Sequence, residues 1–454
     1  MSSADNVLRQ ARLALNRLTI FKDITLDNEG FTLFDRFLGV LREAEDNWEE
    51  AFKVYHRLVG KLLAHSLETP FPSLGSVWQD FILDRILLMD NSFTRRVEQG
   101  GVIPGPVLKA AEADLLALQC LYNLERSDLE QVIGTGTGVS LDQWNLLPWE
   151  KPVSTPVEAS SYALQLKQTF QSGLNWDKLL EPLMFYYRKV GTGSFSYCHA
   201  FRFRDTDEGP LLKAITHPDP IRLSHLIGYE TQRQQVIRNT EQFIKGYPAN
   251  NLLLYGDRGT GKSSTVKALI HEYGNRGLRM VEMSKQDLNK LPVLLDLIRY
   301  RPHRFIIFID DLSFEEGEVD YKHLKAVLEG SLEARPDNVL IYATSNRRHL
   351  VKERFSDREF NGDGEVRSQD TLQEKLSLAD RFGMTITFTS PDQEQYLDIV
   401  QGLARQAGLD VNPGDLRQQA LRWALWHNGP SGRTARQFID DLIGRLAMEA
   451  GGNH

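Results

Sequence analysis

Cysteine is nearly absent: Cys120 and Cys198 are the only two in 454 residues. That excludes a disulfide framework and a cysteine metal cluster, and the pair reads as ordinary thiols of a reducing compartment. The eleven histidines are scattered, with no H-E-x-x-H and no zinc-type Cys/His spacing, so zinc hydrolysis has no ligand set. A G-x-S-x-G elbow is also missing, which removes the serine-hydrolase reading. No uncharged apolar run approaches the roughly 18 residues that span a bilayer. The start, "MSSADNVLRQARLALNRL", has no basic segment leading into an apolar core, so no secretory signal is expected and the chain reads as cytoplasmic, without a membrane partner. Positive charge is in deficit, 53 Lys and Arg against 61 Asp and Glu for a net −8. No general field favours nucleic acid; a local basic patch stays open.

What is present is a soluble-protein balance, 41% hydrophobic and 25% charged, in a chain long enough for two or three domains. Residues 1–130 read as a helical domain, because Phe34, Phe37, Leu38 and Leu41, then Phe52, Tyr55, Val59 and Leu62, recur at helical spacing. A Gly-, Thr-, Ser- and Pro-rich stretch at 131–160 reads as a linker or long loop. Residues 161–216 read as a helix followed by a strand pair turning at Gly191–Gly193, with Phe195, Tyr197, Phe201 and Phe203 alternating. From His217 helix and strand alternate to about 389, the pattern of an α/β domain with a parallel sheet, and 390–450 reads as a small helical lid.

The chemistry is concentrated in "NLLLYGDRGTGKSSTVKALIHEYGNRG". A buried strand, a glycine-rich turn and a helix follow in order, the helix running to Gly274 as its cap. Gly256, Gly261, Lys262 and Ser263 satisfy G-x-x-x-x-G-K-[ST], with Asp257, Arg258, Gly259, Thr260 and Ser264 completing the nucleotide-binding stretch. Glycines let backbone N–H groups curl around phosphate oxygens, and the helix points its positive end at them. Lys262 adds a point charge for the β- and γ-phosphates of ATP and is expected to pack against nothing. The Ser263 hydroxyl is placed to ligand Mg²⁺. Two further Gly-Thr stretches have no following Lys-Ser/Thr and read as turns.

The motif explains "RFIIFIDDLSF". Five apolar residues, Phe305 to Ile309, drive into Asp310 and Asp311, a costly way to end a buried strand without a nearby cation. Beside a phosphate loop the first carboxylate orients Mg²⁺, which gives Asp310 the metal and Asp311 the attacking water. Glu315 and Glu316 are the rivals for the water.

With these residues in place, 223–440 resembles an AAA+ ATPase module. "LSHLIGYETQRQQVIRNTEQFI" resembles the adenine-side segment, with Leu226, Ile227 and Gly228 at its turn. "NVLIYATSNRRHL" resembles the sensor 1 strand, which puts Asn346 between nucleotide and water; a strand-end turn residue is the plain alternative. "KLSLADRFGMTITFTSPDQEQYLDIV" resembles the arginine-finger region of replication initiators and helicase loaders, which implies a finger at Arg381; an ion pair with Asp380 is the alternative. "GPSGRTARQFIDDLIGRL" resembles a sensor 2 helix and implies Arg433 at the γ-phosphate, with Arg436 one turn on as rival. Asp-Asp stands where most of these proteins have Asp-Glu, a departure shared by the initiator branch. The whole chain is similar to a family of bacterial AAA+ ATP-binding proteins of unknown function.

The lid has its own local signals. "SPDQ" at 390–393 reads as a capping box from Ser390 to Gln393, and Trp423 and Trp426 read as lid core. The charged insert "KERFSDREFNGDGEVRSQDTLQEK" reads as a solvated loop or, beside a subunit seam, a contact element. The resemblance implies a homo-oligomer whose finger acts in trans and a remodelling or loader ATPase whose N-terminal region chooses a protein client. A slowly hydrolysing, nucleotide-gated scaffold and a DNA-associated ATPase are the alternatives.

Overall fold

A computed structural model describes residues 3–26, 29–41, 44–134, 141–144, 146–150, 161–206, 209–314, 320–329, 335–346, 378–427 and 429–451. The chain divides into two compact units, Met1–Tyr197 and Cys198–His454.

The first unit is helical. Its periodic apolar residues fall on the helices Glu29–Leu41 and Ala44–Glu68, and Phe34, Phe37, Tyr55 and Leu62 are buried. The centre is aromatic: Phe34 lies 4.5 Å from Trp78 and Phe37 5.0 Å from Tyr55, centroid to centroid. The stretch expected to link domains is partly anchored here. Trp144 and Trp149 are buried on two short 3₁₀ turns, Leu141–Trp144 and Leu147–Trp149, and Trp149 stacks 5.7 Å from Trp78. Two large indoles outweigh the turn-forming composition around them, because burying each removes far more apolar surface from water than a loop residue can.

The same unit buries an ionic cluster. Lys167 Nζ donates to the Pro72 carbonyl (2.8 Å) and to Asp80 Oδ1 (3.1 Å) and meets Asp84 Oδ1 at 2.5 Å. Asp84 also takes the Thr69 hydroxyl (2.6 Å) and His65 Nε2 (3.0 Å). Lys167→Met would strand two carboxylates in the interior, and the unit should lose roughly 3 kcal/mol of stability in chemical denaturation, since breaking one side of a buried pair is far costlier than its net worth. An unchanged denaturation midpoint would show that water reaches the cluster.

The strand pair does not turn at Gly191–Gly193. Gly191 ends the helix Leu180–Val190, and Gly193–Ser196 forms a 3₁₀ turn that buries Phe195. The hairpin is β1 (Ala200–Thr206) against β2 (Gly209–Ala214), antiparallel, with Phe201 opposite Ala214 and Thr206 opposite Gly209. The expected 161–216 segment is therefore split: its helices belong to the first unit, and its hairpin joins the sheet of the second.

That sheet continues with β3 (Leu252–Gly256), β4 (Leu278–Glu282), β5 (Arg304–Ile309), β6 (Val339–Ser345) and β7 (Met384–Phe388). The order is β2-β1-β4-β5-β6-β3-β7, parallel throughout except for the hairpin. Central strands β5 and β6 carry apolar runs, residues 305–309 and 339–343, because both faces are covered, as parallel sheets require. The helix Lys262–Tyr273 follows β3. The helix ends with Gly274 as its C-cap, as the sequence suggests; that residue stays right-handed, and the left-handed glycine is Gly277 at φ +93°. Gly274 is glycine for space, since a Cβ there would stand 2.4 Å from His199 Nδ1.

The lid consists of the helices Gln393–Gln406, Pro413–Trp426 and Gly432–Gly451 around Tyr396, Val400, Ala420 and Phe438. Its capping box sits two residues later than the sequence suggests, with Asp392 as N-cap accepting from Gln395 N–H at 2.8 Å. Ser390 is unavailable because its own N–H is given to Asp257. The tryptophans part company: Trp423 is partly buried against Phe438, whereas Trp426 is 79% exposed. Leu416, Ala420 and Ala424 form the inward stripe of that helix, and position 426 falls off it. The fold is thus an α/β core with a largely parallel sheet, a glycine-rich loop between β3 and its helix, and a C-terminal helical lid, preceded by a mainly helical region.

Candidate nucleotide site

At the C-terminal ends of β3, β5 and β6 opens a cleft of about 630 Å³, lined by core residues from Ile221 to Asn346 and by lid residues from Ile399 to Gln437. Ligand clefts in parallel α/β sheets lie at this end of the strands, and the size is in the range of small-molecule sites.

The loop after β3 wraps toward the helix Lys262–Tyr273 through left-handed Gly259 and Gly261, φ +76° and +88°. Gly256 is the tightest position: at φ +135°, a Cβ there would lie 1.9 Å from the Phe388 carbonyl of β7. Thr260 is buried and donates its hydroxyl to the Asp257 carbonyl at 2.9 Å. Arg258, Gly259, Thr260, Gly261, Lys262, Ser263 and Ser264 line the cleft, while Gly256 and Asp257 are not among its lining residues.

Lys262 does pack, contrary to the reading of the motif. Only 6% of it is exposed, and its Nζ donates to the carbonyls of Gly256 (2.9 Å) and Asp257 (2.6 Å) and to Asn346 Oδ1 (3.1 Å). Burial pulls its pKa below the ordinary lysine value, and the carboxylates of Asp257, Asp311 and Asp310 oppose that shift. Ser263 Oγ donates to Asp310 Oδ1 at 2.6 Å, although the two lie 47 residues apart. Hydroxyl and carboxylate form an oxygen-only donor pair that suits a hard cation, and Mg²⁺ characteristically takes one or two such groups together with phosphate oxygens.

Asp311 holds φ +52°, a left-handed conformation that costs on the order of 1 kcal/mol for a side-chain-bearing residue. Asn346 Nδ2 donates to Asp311 Oδ1 at 2.7 Å. Asn346 thereby links the lysine to the second carboxylate. Glu315, Glu316 and the charged insert lie outside the described residues.

Ile227 and Leu226 line the cleft with Tyr229, Ile399 and Leu403, an apolar end suited to a base. Gly228 is left-handed at φ +77° and is not among the lining residues. From the lid, Arg433 and Arg436 both reach the cleft, together with Gln437. Arg433 N–H also bonds the Gly259 carbonyl at 3.1 Å. At the other end of the lid, Asp257 N–H donates to the Phe388 carbonyl (2.9 Å), and Ser390 N–H donates to Asp257 Oδ2 (2.6 Å). The Ser390 hydrogen bonds hold the Asp257 carboxyl below its ordinary pKa. Arg381 does not line the cleft; its guanidinium pairs with Glu329 at the end of the helix Asp320–Glu329.

The sequence reading missed Thr344, His225, Tyr229 and Gln437 as cleft residues. Thr344 alone had a legible signal, standing on β6 two positions before Asn346, which follows the strand's last residue.

The chain is 30% identical over 117 residues to the replication factor C large subunit of Staphylothermus marinus, covering 24% of this chain and 27% of that protein. It is 28% identical over 163 residues to a probable spastin homolog of Brugia malayi, covering 31% and 36% respectively. It thus spans little more than a third of either curated relative at most. Among solved structures, the Thermotoga maritima RuvB Holliday junction branch migration motor matches 50% of this chain and 67% of its own, at 16% identity and a TM-score of 0.35. Residues 196–446, more than half of the chain, match the family described as "Protein of unknown function (DUF815)", and the chain belongs to that family.

Proposed function

We propose that this protein binds ATP with Mg²⁺ in the cleft and hydrolyses it, as an ATPase whose turnover depends on self-assembly. The observation that carries this reading is the contact of Ser263 with Asp310, which joins the loop motif to the acidic strand end across 47 residues. The triphosphate would lie at the N-terminal end of the helix Lys262–Tyr273, where backbone N–H groups and the helix dipole favour negative charge. Lys262 would exchange its carbonyl partners for β- and γ-phosphate oxygens. Ser263 and Asp310 would hold Mg²⁺, whose charge offsets that of the phosphates as the bond to the leaving oxygen breaks. Asp311, oriented by Asn346, would accept a hydrogen bond from the attacking water, and Arg433 and Arg436 supply positive charge from the lid.

The wider reading follows the same line. Arg381 would serve a neighbouring copy's site, and the helical first unit would select a protein client for remodelling or loading. The pairing of Arg381 with Glu329 away from its own cleft favours one variant of this reading, in which an unassembled copy turns over slowly and acts through its bound nucleotide.

Asp311→Asn keeps shape and hydrogen bonding but loses the charge that polarises water. ATP binding should persist while turnover, measured as phosphate release, falls roughly a hundredfold, the scale of a lost general base. Unchanged turnover would make Asp311 structural and move the role to Glu315 or Glu316.

A further inference from the structure

We propose that Thr344 is the positioning residue that sets both carboxylates at the end of β5, and through them the Mg²⁺ requirement of nucleotide binding. This rests on the cleft being the Mg-ATP site. The Thr344 side chain is 2% exposed. Its Oγ1 donates to Asp310 Oδ1 at 2.5 Å and accepts the Asp311 N–H at 3.0 Å. A hydroxyl has one proton to give, so donation toward Asp310 leaves its lone pairs facing the Asp311 N–H. One rotor orientation therefore satisfies both contacts. The Thr344 carbonyl accepts Leu312 N–H at 2.7 Å, so three consecutive residues after β5 are tied to this single residue of β6.

The consequences differ for the two acids. Asp310 Oδ1 receives hydroxyl protons from both Thr344 and Ser263, which fixes the carboxylate's rotation about its own axis. When Ser263 turns to a metal ion, Thr344 remains to hold that oxygen in place. Asp311 is left-handed at φ +52°, and the hydrogen bond from its N–H to Thr344 helps retain that conformation. Asn346, two residues on and just past the end of β6, holds the Asp311 carboxylate itself. The end of β6 and the residue just past it thus hold the backbone and the side chain of the proposed water-aligning residue.

Thr344→Val keeps shape and volume and removes only the hydroxyl. Mg²⁺ titrations of the binding of a fluorescent ATP analogue give a readout separate from activity. The midpoint should move to about tenfold higher Mg²⁺ in Thr344→Val, the scale of one lost charge-assisted hydrogen bond. Binding in excess chelator should stay near wild type, and kcat should fall about tenfold with little change in KM. Thr344→Ser should restore both. Because valine leaves buried polar groups unpaired, Thr344→Ser and Thr344→Ala form a second pair that share the loss of the methyl, so their difference isolates the hydroxyl even if both are less stable. A Thr344→Val midpoint equal to wild type, a wild type whose binding ignores Mg²⁺, or serine and alanine variants that behave alike would overturn the proposal. If the wild type binds with the expected Mg²⁺ dependence and does not hydrolyse, the ATPase reading fails, while the midpoint shift still tests Thr344.

Discussion

Lys262→Met protein should bind ATP on the order of a thousandfold more weakly than wild type and remain folded. Methionine keeps the buried aliphatic stem, which matters because the side chain is only 6% exposed. What it removes is the ammonium that reaches toward Gly256, Asp257 and Asn346 at the mouth of the helix. Two charge-assisted hydrogen bonds to phosphate at about 2 kcal/mol each give roughly the thousandfold loss. The lost carbonyl contacts act in the opposite direction, since a phosphate no longer has to compete with them, and this keeps the expected loss from being larger. Calorimetric titration with ATP measures the effect, and circular dichroism in a thermal ramp checks the fold. Retained ATP affinity in a folded variant would remove the phosphate-binding role of the loop.

Arg381→Ala should cost on the order of a thousandfold in turnover, the scale of a lost arginine finger, with ATP affinity nearly unchanged. The effect should appear only where copies associate. Arg381 pairs with Glu329 and does not line its own cleft, so transition-state charge served by this guanidinium would be that of a neighbouring copy. Specific activity of the wild type is accordingly expected to rise with protein concentration, and Arg381→Ala should flatten that rise. Mixing Arg381→Ala with Asp311→Asn protein gives the sharpest outcome: each is inactive alone, but mixed assemblies pair an intact guanidinium with an intact site. Recovered turnover establishes action in trans. Continued inactivity in confirmed mixed assemblies would leave Arg381 as a surface ion-pair partner of Glu329.

The sequence was most legible where one residue type has one physical reason to be there. The spacing from Gly256 to Ser263 and the apolar run into Asp310 both pointed to the cleft that the fold brings together, because glycine geometry and a charged end to a buried strand are hard to account for otherwise. It was least legible where local chemistry competed with distant packing. Trp144 and Trp149 sit in a stretch whose glycines and prolines suggest a loop, yet their indoles fill the first unit's core. The alternation through Phe195 and Tyr197 mimics a strand, but left-handed Gly191 and Gly193 break it before β1 begins. The capping box moved because Asp257, 133 residues away, had taken the Ser390 N–H, and no local pattern contains that. Thr344 and the Lys167 cluster are polar groups whose worth lies in partners far along the chain, which spacing alone does not reveal.

The two attachments of the lid to the phosphate loop have a mechanical meaning. Asp257 grips the chain just before the lid's first helix, and Gly259 grips Arg433 at the start of its last. Besides its contacts with Ser224, Ile227 and Tyr229, the lid thus has two footholds on the same short loop, within two residues of each other. If the loop shifts on binding phosphate, both contacts would carry that shift to the lid, and the expected motion is a rocking about the loop rather than a swing on one hinge.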